Sequence, residues 1–204
     1  MKDAIQEQLI AARRSQILDA AVTVFAQKGF HPTTIRDIAR EAGIADGTVY
    51  NYFDNKTALL LGIFDRLNET DQRAESFSDP AETDFRSFMK AYFRHRLSVI
   101  ELGNFEAFRV VLSEIMVNAE LRALYHDRIL APTFAMAETH FQTLAAHHLI
   151  KSREIGLTMR AVSGMMLGII IERMMGDQTL ATQWDDLPDF LTDLILDGIG
   201  SDKS

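Results

Sequence analysis

A small residue, a glycine and two short apolar-patterned segments lie close together near the start of this chain, and they constrain its fold more than any other feature. In TTIRDIAREAGIADGTVYNYFDNK, from Thr33 to Lys56, Ile35, Ile38, Ala39 and Ala42 fall on one face at helical period behind a Thr cap. Gly43 ends that helix, because glycine takes the left-handed C′ conformation without a steric cost. A second short helix, Asp46 to Phe53, follows a tight turn. Its inward positions are Val49, Tyr52 and Phe53, and its outward side offers Asp46, Thr48, Tyr50 and Asn51. Two helices crossing steeply over so short a turn need a small residue where they touch. Ala39 supplies it, and Ile44 and Val49 fill the angle. The pattern is a helix-turn-helix whose second helix has the form of a recognition helix for the DNA major groove.

These residues carry a resemblance. AGIADGTVYNYFDNK resembles the DNA-binding signature of the TetR (tetracycline repressor) family of bacterial transcriptional regulators, preceded by a long first helix ending in KGF. The match covers about the first quarter of the chain; the rest is similar in length and helical character alone. Where many members carry Ser this chain has Ala45, so Asp46 is the expected cap of the recognition helix. Asp46 and Asp54 also bring negative charge close to where phosphate would lie.

The chain has 204 residues and no cysteine, which excludes disulfide frameworks and thiolate metal sites and fits a reducing cytoplasm. MKDAIQEQLIAARRSQ has no apolar core of a signal peptide. The longest apolar run, Ala161 to Ile171, is short of the ~20 residues a membrane span needs, so a soluble protein is expected. The net charge of −8 argues against nucleic acid until the chain is divided. Residues 1–56 hold seven Lys/Arg and seven Asp/Glu, and residues 57–204 hold fourteen against twenty-two, so all the acidity is in the second part. Arg13, Arg14, Arg36, Arg40 and Lys56 lie in or beside the motif. A neutral reading head on an acidic body is compatible with modest non-specific DNA affinity.

The fold class expected is all-α: a three-helix helix-turn-helix head joined by a connector helix to a larger helical ligand-binding and dimerisation body, about nine helices in total. The domain boundary is placed at 1–55 for the head and 56–204 for the body. A first helix, Ala11 to Gln27, packs its stripe Ile17, Ala20, Ala21, Val24 and Phe25 on the motif. Arg13 and Arg14 at its start either reach toward DNA or lie on a solvated leader. Asn55 caps a fourth helix from Lys56 to about Arg73, whose apolar face (Leu59, Leu60, Ile63, Phe64, Leu67) is too wide to serve the head alone. A polar loop, Glu69 to Asp84, follows. The body then reads as helices Phe85–Glu101 (broken at Gly103), Phe105–Val117, Glu120–Leu149 kinked or divided at Pro132, Arg153–Met175 and Leu187–Ile199, with a loop from Gly176 to Asp186.

Outward side chains on a recognition helix reach base edges, and groups at helix N-termini meet phosphates. The resemblance implies the same allocation here. Thr34 and Lys56 would contact phosphates, and Tyr50 and Tyr52 the sugar-phosphate backbone. Arg36, Gly47, Thr48 and Asn51 are the base-facing positions, Arg36 suited to guanine and Asn51 to adenine at ~1–3 kcal/mol of discrimination each. Thr34 as a plain cap and Tyr52 as plain core are the competing readings.

Thirteen Phe and nine Met, most of them in the second part, give the body an adaptable apolar interior. Phe88, Tyr92, Phe108, Met116, Phe134, Met136, Phe141, Met165 and Met166 recur at helical spacing. The resemblance implies an effector pocket among them, with Phe88, Tyr92, Phe108, Met116, Phe134, Phe141 and Met165 as candidate lining for a small hydrophobic ligand of fatty-acid, acyl-CoA or drug-like type. Ordinary core is the plainer reading of each. The helix around Gly164 and Gly168 is apolar on both sides, and with Phe190 and Leu194 on the last helix it suits a homodimer interface. No catalytic residue, metal site or cofactor is expected: His140 and His147 lack a partnered HExxH or ExxH pattern, and no phosphate loop or GxSxG elbow occurs. The reading is a cytoplasmic, nucleoid-associated repressor that binds double-stranded operator DNA as a homodimer without touching a membrane. A regulator controlled by a protein partner, or a helical oligomer that does not bind DNA, are the alternatives.

Overall fold

The computed structural model describes residues 2–68, 85–101, 105–146 and 154–197. Every regular element among these residues is helical, as expected. In chain order they are α1 (Lys2–Lys28), α2 (Ile35–Glu41), α3 (Asp46–Tyr50), α4 (Lys56–Asn68), α5 (Phe85–Glu101), α6 (Glu106–Val117) and α7 (Ala119–Tyr125). A π turn, His126–Leu130, leads into α8 (Ala131–Ala146), followed by α9 (Ile155–Met174), α10 (Gln178–Thr182) and α11 (Leu187–Asp197). The expected loop at Glu69–Asp84, the break at Gly103 and His147 lie outside the described residues. Two compact units form: Met1–Thr70 with Leu102–Leu130, and Asp71–Glu101 with Ala131–Ser204.

The first unit is built on α1. Its stripe Ile17, Ala20, Ala21, Val24 and Phe25 is buried, and it packs on α2, α4 and α6. The helix begins well before Ala11. The added turns carry good helix formers (Ala4, Gln6, Glu7, Gln8), while Ile5, Leu9 and Ile10 remain exposed, so propensity rather than packing extends it. The wide apolar face of α4 also finds its partners here. Leu59, Leu60, Ile63, Phe64 and Leu67 are all buried, in one core with Val110 and Val111 of α6, Leu121 of α7 and Ile129 of the π turn. Gly62 permits this closeness, since a Cβ there would stand 3.0 Å from Leu18 Cδ2 and 3.1 Å from Phe53 Cε1. Asn55 caps α4 as expected, its side-chain oxygen accepting from Ala58 N at 2.9 Å.

The long helix expected from Glu120 is divided before Pro132, which sits in the first turn of α8 where a missing N–H is tolerated. The division takes the form of a π turn instead of a kink. In the second unit α5 packs on α11, burying Met89, Phe93, Leu97 and Ile100 on one side and Leu187, Leu191 and Thr192 on the other. Arg86 bridges Asp193 and Asp197, and Lys90 reaches Asp189. These exposed pairs are screened by solvent, and they act on register more than on stability. α10 occupies the stretch expected as loop, held by Asp177 Oδ1 accepting from Leu180 N at 2.8 Å. It has no apolar stripe to announce it.

α9 is 20 residues long and apolar enough to cross a membrane by length and composition. The uninterrupted run Ala161–Ile171 understated it, because Ile155, Leu157, Met159 and Met174 extend the apolar character past interspersed polar residues. Only Met166 and Ile170 of this helix are buried, and Leu157 and Leu167 are exposed. A Cβ added at Gly164 or Gly168 would meet nothing within 4 Å.

Candidate nucleic-acid interface

The turn between α2 and α3 is closed at both ends by backbone geometry that the residue types dictate. Thr34 caps α2 in a reciprocal capping box with Asp37: Thr34 Oγ1 accepts from Asp37 N, and Asp37 Oδ2 accepts from Thr34 N. The C-terminus is a Schellman motif. Ile44 N donates to Ala39 O and Gly43 N to Arg40 O, with Gly43 at φ +66°. Asp37 is the hub of this element, accepting also from Lys28 Nζ at 2.7 Å and Arg40 Nη2 at 2.8 Å. The hydrogen bond from Lys28, and then those from Thr34, hold its carboxyl well below the usual carboxylate range.

Asp46 does not cap α3. The N-cap is Ala45, with extended φ −72° and ψ 146° and no side-chain bond. A capping side chain must belong to that extended residue, and Asp46 is already inside the helix. Its carboxylate instead accepts from Arg36 Nε at 3.1 Å. α3 itself is only five residues, and Asn51 and Tyr52 continue from it as turn.

Gly47, Tyr50 and Asn51 are exposed, Thr48 is half-buried, and Val49 is fully buried beneath them. Tyr50, Asp46, Arg36, Ile35 and Thr34 wall a shallow cleft of about 320 Å³. Tyr52 is half-buried and packs on the head core. Gly47 is the informative residue. A Cβ there would meet nothing within 4 Å, its φ is not among the positive ones, and glycine inside a helix costs about 0.5–1 kcal/mol against alanine. Among the described residues, no contact requires the glycine.

Several side chains support this face, Arg14 and Lys56 being expected beside the motif and Gln16 not. Arg14 Nη1 donates to Tyr52 O at 2.9 Å, with its guanidinium 4.4 Å over the Phe53 ring, so Arg14 clamps the end of the recognition segment. Gln16 Nε2 donates to Ala42 O at 2.7 Å, bracing the turn. Lys56 Nζ donates to the carbonyls of Phe30, His31 and Thr33, which commits its ammonium to the α1–α2 loop. Burial lowers the Lys56 pKa, opposed by the charge of Glu114. Glu114, on α6, is buried and lies 3.8 Å from His31 Nε2.

The candidate effector residues divide between the units. Phe85, Phe88 and Tyr92 of α5 form a ladder of stacked rings, with Phe88 5.5 Å from the His140 ring and Phe85 5.8 Å from that of Phe141 on α8. Phe134 is covered by the Arg160 guanidinium at 4.9 Å, and Met165 is half-buried on α9. Phe108 packs against the core of the first unit, and Met116, in that unit too, is 68% exposed. Of the proposed dimer residues, Gly164 and Phe190 are exposed and Gly168 and Leu194 half-buried.

Residues 17–63 match the model of the bacterial regulatory proteins, tetR family. The chain is 36% identical over 85 residues to the fatty acid metabolism regulator protein of Bacillus subtilis (strain 168), covering 42% of this chain and 40% of that one. It is 46% identical over 50 residues to the HTH-type transcriptional repressor KstR2 of Rhodococcus jostii (strain RHA1), 24% of each. The chain thus spans less than half the length of these curated relatives. The structure of the transcriptional regulator FadR from Bacillus subtilis in complex with stearoyl-CoA superposes with a TM-score of 0.68 at 25% identity, over 91% of this chain and 99% of that one. With the helix-turn-helix and its supporting core in place, residues 17–63 carry the N-terminal domain of the bacterial regulatory proteins, tetR family, and the chain as a whole is similar in fold to a solved regulator of that kind.

Proposed function

We propose that this protein is a transcriptional repressor that binds a palindromic operator as a homodimer and is released by a small hydrophobic ligand. The observation that carries the DNA-binding part is Gly47: a helix-weakening glycine, unneeded by its own fold, on the open side of the recognition segment. The absence of a side chain there admits a close approach of backbone to duplex. Arg36, Thr48 and Asn51 flank it as base readers, with Tyr50 on the sugar-phosphate backbone. Thr34 and Lys56 act from the helix starts, through the cap and the loop they hold in place. Tyr52 serves at the rim of the same surface. In functional terms residues 1–55 read and residues 56–204 sense and pair, although the first packing core also takes in α4, α6 and α7.

The second copy covers α9 and α11. Leu157, Leu167 and Phe190 are exposed apolar side chains, and the open glycines Gly164 and Gly168 admit a close helix neighbour. Arg160, Glu172 and Arg173 on α9 favour a protein partner over lipid as that neighbour. Pairing supplies two heads for half-sites ~34–36 Å apart. A protein reading chromosomal DNA works in the cytoplasm, at the nucleoid.

The ligand class follows from the aromatic ladder Phe85–Phe88–Tyr92 with Phe141 and from the stearoyl-CoA held by the FadR relative. A fatty acid or acyl-CoA is the favoured effector, with a drug-like molecule as the broader class. Release requires that the ligand prefer the state whose heads do not fit adjacent grooves; a preference of ~10⁴ moves the population from nearly all competent to nearly none. Fluorescence anisotropy with a palindrome from the gene's own upstream region tests the reading. Nanomolar binding at physiological salt, relieved by a long-chain acyl-CoA, is expected. Equal binding to scrambled duplex would refute it.

A further inference from the structure

The ion pair across the turn has no adequate explanation in stability. Arg36 and Asp46 side chains are 83% and 45% exposed, and a pair so exposed adds little to stability. Its geometric effect is larger. Arginine carries a planar fork of N–H donors, and here Nε is engaged by Asp46 Oδ2 at 3.1 Å. That bond restrains the long side chain and leaves the two terminal nitrogens as donors beside the cleft walled by Thr34, Ile35 and Tyr50.

A phosphate is the poorer partner for this arrangement, because the Asp46 carboxylate next to it repels an anion. A guanine edge offers two neutral acceptors, O6 and N7, and the cytosine paired with it offers an amino donor to a carboxylate. Donors on Arg36 beside an acceptor on Asp46 match that sequence of groups. An A·T pair in either orientation puts thymine O4, an acceptor, on the same edge. We infer that Asp46 is a positioning residue that aims Arg36 at a guanine, so that the two together specify one G·C pair in each half-site.

The inference rests on the DNA-binding reading, and the experiment separates the two. The full chain, wild type and the variants R36A, D46A and D46N, is used to enrich duplexes from a random pool at fixed salt. Affinities are then measured on the selected duplex and its single-base variants. Wild type is expected to demand G·C at one position per half-site by about tenfold to a hundredfold. R36A abolishes that preference. D46A reduces it to a few-fold, with the preference at other positions and the melting temperature unchanged. D46N, whose amide oxygen still accepts from Nε, retains part of it. If D46A keeps the G·C preference and only binds every duplex more tightly, Asp46 is a repulsive charge and the inference falls. If wild type enriches no sequence, the DNA-binding reading fails, and the inference with it.

Discussion

Lys56 Nζ stands 4.6 Å over the ring of Phe30 and donates to the carbonyl oxygen of the same residue. Two more carbonyls, from His31 and Thr33, complete its donors. The first residue of α4 therefore holds the loop that delivers α2. Hydrogen bonds from a charged donor are worth about 1.5–3 kcal/mol, so Lys56→Ala should lower unfolding free energy by about 2 kcal/mol in urea titrations. Operator affinity should fall with it. A variant that binds weakly at full stability would show that the ammonium acts on phosphate alone.

Gly47→Ala separates folding from reading. The added methyl meets nothing within 4 Å among the described residues, and alanine is the better helix former by about 0.5–1 kcal/mol. The variant should melt slightly higher and bind its operator at least tenfold more weakly. Unchanged affinity would remove the case for close backbone approach.

Asp37 supplies a pH dependence whose sign is determined. Its carboxyl is held below the usual carboxylate range, by Lys28 first and then Thr34. A depressed folded pKa stabilises fully above the unfolded value of about 3.9 and loses that contribution as pH falls through the folded value. Asp37→Asn should therefore be less stable than wild type at neutral pH, with the gap closing below about pH 4. A gap that widened in acid would contradict the assignment.

Pairing through α9 and α11 is tested by Leu167→Arg with Phe190→Arg. Both side chains are exposed apolar groups in the protomer, so the monomer fold should tolerate the change. Sedimentation equilibrium should then report one chain per particle, with operator affinity down by more than a hundredfold because only one half-site is read. A variant that remains dimeric would place the interface elsewhere.

The turn was legible because its determinants are local: a left-handed glycine, a small residue at the crossing and apolar positions at helical period. The buried face of α1 and the cap at Asn55 followed from the same short-range rules. Asp46 was misplaced because residue type suggests a cap, whereas the cap is whichever residue has the extended backbone, and that is Ala45. α10 escaped notice because a single turn carries no periodicity. Met116 and Phe108 show a different limit. Apolar character marks a side chain for burial somewhere, but not for which core, and one of these is largely exposed while the other packs against the core of the first unit. The wide face of α4 was read correctly as more than the head needs; its partners, on α6 and α7, are more than forty residues away in sequence.

Arg14 and Gln16 grip the carbonyls of Tyr52 and Ala42, one at each side of a recognition helix of five residues. So short a segment cannot hold its own conformation, and it takes its pose from the buried Val49 and Phe53 together with these two side chains. On the proposed function, a genetic screen for constitutive expression of the target should return lesions at both codons. Such alleles would pass for contact mutants in any assay of occupancy, and only second-site suppressors in α1 would reveal that the fault is one of alignment.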